Sequence, residues 1–206
     1  MAGLLTEADK AKVREAISAV ERNTSGELVT VITAASDDYL YIPTLWAALM
    51  ALVLPGVVLL GNMWIDYAWL YAAQVLAFFA LTALFRIPAI KLRLVPKAIK
   101  RQRAGRVALE QFFLQNLHNT RERTGILIFV SMAENYVEII ADKGINDVVS
   151  KAVWEKAVAD FVAAVKRKRY TEGFIAAITQ CGEILQEHFP ARQDNPNELP
   201  NHLVEL

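Results

Sequence analysis

The stretch GILIFVSMAENYVEIIAD, residues 125–142, decides the fold. Gly125–Ser131 is a continuous apolar, β-branched run of strand length, and Tyr136–Asp142 is a second such run. Only MAEN separates them. A parallel pair needs a crossover of about a dozen residues or more, so the two strands must form an antiparallel hairpin. Upstream, Glu27–Thr33 reads ELVTVIT, nearly continuous in apolar character, as a strand covered on both faces would be. Helical spacing surrounds these strands. Val13, Ala16, Ile17 and Val20 mark a helix over residues 6–22, opened by Thr6 and Asp9 in the manner of a capping box. Leu109, Phe113 and Leu117 mark one over 97–121. Trp154, Val158, Phe161 and Val165 mark a helix over 147–168, and Phe174, Ile178, Cys181 and Leu185 mark the last, over 171–188.

Between the first strand and the hairpin the composition changes. No Lys or Arg occurs from Leu28 to Phe85, and no Asp or Glu from Tyr67 to Leu109. LWAALMALVLPGVVLLGNMW, residues 45–64, and AWLYAAQVLAFFALTALF, residues 68–85, are each long enough to cross about 30 Å of hydrocarbon at roughly 1.5 Å of rise per residue. Asp66 and the aromatics Trp64, Tyr67, Trp69 and Tyr71 crowd the turn between them, as interfacial residues do. Then follow Arg86, Lys91, Arg93, Lys97, Lys100, Arg101, Arg103 and Arg106 with no acid among them. By the positive-inside rule this end is cytoplasmic, and two spans return the chain to its starting side. The N-terminus carries charges where a secretory signal needs its apolar core, which fits an N-terminus kept in the cytoplasm. Gln74 is the one strongly polar side chain within the second span and is expected to bond to the first span inside the hairpin.

Residues 1–43 offer one helix and one strand and could not bury a core alone. The expected architecture is therefore α/β: a small sheet of three or four strands flanked by helices, with a two-helix transmembrane hairpin inserted after the first strand. Residues 1–43 and 97–189 form the domain, 44–86 the hairpin and 87–96 a basic juxtamembrane linker. Residues 190–206, with three prolines and no helical period, form an extended tail that docks a partner through Leu199, Leu203 and Val204.

The chain has 22 basic and 22 acidic residues, a mean hydropathy of +0.27 and a single cysteine, Cys181. An internal disulfide and a Cys-rich zinc site are excluded. Cys181 lies on an apolar helix face without the arginine of a phosphatase loop, so it reads as a buried thiol. His118, His188 and His202 stand far apart, and no Gly-rich phosphate loop or dinucleotide fingerprint occurs. The basic run lacks the interleaved aromatics of a nucleic-acid platform and abuts a bilayer exit. Arg86, Lys91, Arg93, Lys97, Lys100 and Arg101 are assigned to anionic lipid headgroups, and nucleic acid is not an expected partner.

Ligands in open α/β sheets gather beyond the carboxyl ends of strands, which points to Ser36, Asp37 and Asp38 after the first strand. Whether the carboxyl end of the third strand joins them depends on strand order. If it does, Asp142, Asn146 and Asp147 add hard oxygen ligands suited to Ca²⁺ or Mg²⁺. The other reading makes Asp37 and Asp38 turn residues and Asn146 or Asp147 a helix cap.

LTEADKAKV (residues 5–13), TSGELVTVI (24–32), TGILIFVSMAENYVEIIADKGIND (124–147) and RYTEGFIAAI (169–178), in this order, resemble the TPM-domain family. That resemblance implies an α/β domain associated with bacterial or thylakoid membranes. It also implies one of three roles: assembly or maintenance of a membrane complex, calcium binding, or acid-phosphatase activity. With no catalytic motif in view, the expected function is that of a membrane-anchored interaction or assembly factor working on another protein of the bacterial inner (plasma) membrane. The alternative is a phosphomonoesterase dependent on Ca²⁺ or Mg²⁺, using Asp37, Asp38, Asp142 and Asp147 as metal ligands.

Overall fold

A computed structural model describes residues 4–61, 64–192 and 198–206. The chain divides into two compact units, residues 1–36 with 101–206, and residues 37–100. Residues 62–63 of the expected first span and 193–197 of the expected tail lie outside the described residues.

The first unit is a sheet between two helical layers. Helix α1 (Glu7–Glu21) starts where the Thr6 hydroxyl accepts the Asp9 N–H at 3.2 Å, satisfying one of the unpaired donors of the first turn. Strand β1 (Glu27–Thr33) follows and is buried at every position. It runs parallel to β2 (Gly125–Ser131), with Glu27 opposite Gly125 and Thr33 opposite Ser131. A side chain at Gly125 would collide with the Leu117 carbonyl, so the helix-to-strand turn admits only glycine there. Strand β3 (Tyr136–Ala141) pairs antiparallel with β2, as the short MAEN connection requires.

The alternation of side chains across the sheet sorts the core into two faces. Leu28, Ile32, Ile126, Ile128 and Val130 meet Ile17 of α1, Phe161 of α7 (Lys151–Lys166) and Phe174 and Leu185 of α8 (Tyr170–His188). Val29, Val31, Leu127 and Phe129 meet Ala104, Ala108 and Phe112, which belong to the part of α5 (Lys97–Leu114) beyond Lys100.

Three expectations are corrected. The helix placed over 97–121 stops at Leu114, because Asn116 takes a left-handed conformation and only a short 3₁₀ turn, Leu117–Asn119, follows. The helix placed over 147–168 starts only at Lys151, as α7, and a separate single turn, α6 (Lys143–Asn146), precedes it. The C-terminal tail supplies a fourth strand, β4 (Leu203–Glu205), parallel to β1, giving the order β3-β2-β1-β4. Leu203 is buried in the core while Leu199 and Val204 pack on the opposite face, so the side chains expected to dock a partner are used inside the fold.

The second unit contains α2 (Tyr41–Leu60) and α3 (Tyr67–Phe85), the two apolar helices after the first strand, packed on one another. Ala47 and Ala51 are buried, while Leu45, Leu52, Val53, Leu76 and Phe79 remain exposed. The expected linker forms a short helix, α4 (Pro88–Leu94), beginning with proline at its first position, where the missing N–H costs nothing. Tyr39, Ile42 and Val95 close a small core with Leu92 and Ile99.

Candidate functional site

The parallel pair β1–β2 delivers its carboxyl ends together, and a polar network is built there. The Ser36 hydroxyl donates to Ser131 Oγ at 2.8 Å, the Ser131 hydroxyl donates to the Glu134 carboxylate, and the Ser36 N–H donates to the other Glu134 oxygen at 3.2 Å. Main-chain bonds from Met132 to Thr33 and from Ala133 to Ala34, each 3.0 Å, run alongside. The Ser36 proton goes to Ser131 and the Ser131 proton to the carboxylate. None of the three histidines takes part, so the network contains no imidazole to activate a serine. Its chemistry is that of a fastening. It ties the segment leaving β1 to the β2–β3 turn and fixes where the chain departs from the sheet.

The structure places the expected metal ligands one by one. The Asp37 carboxylate accepts the Tyr39 N–H at 2.8 Å, a turn that allows Tyr39 its positive φ of 50°, and Asp38 is exposed. Asp142 caps α6 through the Lys143 N–H at 2.7 Å and is held by Arg123 in a two-pronged pair at 2.6 and 3.1 Å. Both of its oxygens are engaged, which leaves little for a cation while Arg123 stays. Asn146 donates to the Ala141 carbonyl at 2.6 Å, and Asp147 is the exposed residue ending α6. Because β3 runs antiparallel, Asp142 stands beyond the amino ends of β1 and β2 and Ser36 beyond their carboxyl ends, about 20 Å apart at 3.3 Å per strand residue. The sheet does not bring Asp142, Asn146 and Asp147 to the end where β1 delivers Ser36. Among the described residues, no three His, Cys, Asp or Glu side chains gather to hold a metal ion.

At the amino end of β1 lies a feature the sequence reading passed over. Ser18, Glu21, Arg22, Glu27, Arg192 and Asn201 line a cavity of about 340 Å³. Glu21 accepts the Leu28 N–H at 3.0 Å and Glu27 accepts the Glu198 N–H at 3.0 Å. Burial, opposed by the Leu28 bond and reinforced by the Glu27 charge, pushes Glu21 up to about 8, and burial raises Glu27 as well. Glu27 was legible only as the first residue of a strand; the one signal available was a charge at the mouth of an otherwise apolar run. Cys181, by contrast, is the buried thiol expected, pushed up to about 12 by burial.

In the second unit, Gln74 lines a groove with Ala48, Leu49, Ala51, Leu52 and Val75. None of the α2 residues lining it carries a polar side chain, and among the described residues the expected side-chain bond to the first helix is not formed. Arg86, Arg93 and Lys97 are exposed and Lys91 is half-buried, while the Lys100 ammonium caps α4 through the Leu92 carbonyl at 2.7 Å. Arg101 is exposed in the first unit.

Residues 94–184 match the family model of the TPM domain. The NMR structure of the BA42 protein from the psychrophilic bacterium Bizionia argentinensis superposes with a TM-score of 0.63 at 21% identity, over 100% of this chain and 98% of that chain. At that identity the likeness speaks for the fold. No curated protein matches the chain. Over that segment, somewhat less than half of its length, the chain is similar to the TPM domain.

Proposed function

We propose that the chain is a membrane-anchored adaptor: α2 and α3 cross the bacterial plasma membrane with both termini cytoplasmic, and the TPM domain helps assemble or maintain a complex with another membrane protein. One observation carries the reading. Both helices have the length and hydropathy of spans, and only 22% and 6% of their apolar windows are buried within the fold. A core helix of a water-soluble domain would hide most of such a surface. The acid-free run Arg86, Lys91, Arg93, Lys97, Lys100 and Arg101 suits anionic headgroups, each cation near the surface adding on the order of 1 kcal/mol.

Sodium carbonate extraction and liposome flotation test this. The full chain is expected to stay with membranes through alkaline extraction, and a hairpin-deleted chain is expected to show no stable insertion. Release of the full chain by carbonate would overturn the anchor. The phosphomonoesterase reading requires Arg123 to release Asp142. Mg²⁺- or Ca²⁺-dependent hydrolysis of p-nitrophenyl phosphate, lost in Asp142→Ala but retained in the exposed Asp160→Ala, would favour it over an adaptor.

A further inference from the structure

Strand β3 is an edge of the sheet, paired on one side only. The phase of that pairing is fixed by two bonds. Asp142 N–H reaches the Gly125 carbonyl at 2.9 Å, and the Ala141 carbonyl is taken by Asn146 at 2.6 Å from the outer side. Antiparallel pairing alternates, so the N–H and C=O groups of Val137 and Ile139 point to the free edge. Such an edge is a template for another strand.

Alongside it, between β3 and α7, runs an apolar groove of about 500 Å³ lined by Ile139, Ala141, Asn146, Trp154, Glu155 and Val158. Trp154 is 7% exposed, and its indole N–H is buried without an acceptor among the described residues. Buried donors are ordinarily paired, so this one awaits a carbonyl. The charged groups that line the groove are both carboxylates, Glu155 and, on the opposite face of β3, Glu138. A strand added here would place alternate side chains in the groove and the others beside Glu138.

We infer that the free edge of β3 and the Trp154 groove bind an extended segment of the partner protein, one in which apolar and basic residues alternate. Main-chain bonds to Val137 and Ile139 hold the segment, its apolar side chains fill the groove, and its cations lie beside Glu138 on the opposite face. This identifies the partner-binding surface of the adaptor and rests on that reading.

The probe is a fluorescein-labelled KVKVKVK peptide, added to the full chain in nanodiscs and followed by anisotropy and by amide exchange of residues 136–141. Saturable binding and at least tenfold slower exchange are expected. Methylating the valine amides, which face β3, should abolish both. Trp154→Phe should weaken binding about fivefold, the worth of one net hydrogen bond. Glu138→Gln, which keeps an acceptor for the Tyr136 hydroxyl and removes the charge that the basic side chains meet, should weaken it as well. Equal binding of the methylated peptide, or unchanged exchange at 136–141, would overturn the inference. So would protection that rises with protein concentration in the absence of peptide, since the occupant would then be a second copy. None of these results bears on carbonate extraction, so the edge can fail while the anchor stands.

Discussion

Glu21 shows what one side chain can impose. Unfolded, its carboxyl sits near the usual 4.5; folded, burial holds it at about 8. Between those values the unfolded chain gains by ionising while the folded chain keeps its proton. The stability linked to this group is therefore fully present below about pH 4.5 and is lost as pH rises through 8. Glu21→Gln keeps an acceptor for the Leu28 N–H and removes the titration. It is expected to raise stability at pH 8 by roughly 1–3 kcal/mol, to do nothing at pH 4.5, and so to flatten the pH dependence of thermal unfolding. A variant losing stability at pH 8 would mean that the ionised carboxylate is held by a cation. Asp142 is held by a different device, the two-pronged Arg123 guanidinium. Arg123→Ala removes the two-pronged partner of a buried carboxylate and is expected to lower the midpoint of denaturant unfolding; an unchanged midpoint would mean that water replaces the guanidinium without loss.

Among elements, β4 is the one whose contribution is easiest to measure. It is three residues long, yet Leu203 is buried against β1 and the α1–α8 layer. Leu203→Ala is expected to destabilise the domain by about 2–4 kcal/mol and to speed amide exchange along β1; a neutral substitution would show that the strand merely rests on the sheet. The reason β4 escaped the sequence reading is physical. ELVTVIT, GILIFVS and YVEIIA are β-branched runs long enough to specify strands, whereas LVE after a proline-rich stretch has no period to read. The helix boundaries failed likewise at residues set by tertiary context, such as Asn116 in its left-handed turn. For the candidate site, Ser36 was found because topology points to the ends of strands. Ser131 and Glu134 were missed because only the parallel register of β1 and β2 brings them to Ser36 across about 100 residues of chain.

At the scale of the whole molecule, the hairpin is inserted between β1 and β2, two strands that pair along their full length. Strand β1 is made before the hairpin and its neighbour after it, so the sheet is completed only once residues 41–85 have been placed. In a membrane, anchor insertion and domain folding then become one process. Deleting one helix, leaving an odd number of spans, is expected to put β1 and β2 on opposite sides of the bilayer and to abolish the domain, read as loss of protease resistance in residues 101–192. The topology itself is tested most directly by cysteine labelling in a bacterial inner membrane. Native Cys181 is fully buried and stays silent, while Tyr67 and Lys12 are exposed. With a membrane-impermeant maleimide on intact spheroplasts, Tyr67→Cys should be labelled at once and Lys12→Cys only after permeabilisation. Protection of both until permeabilisation would contradict a hairpin that crosses the membrane.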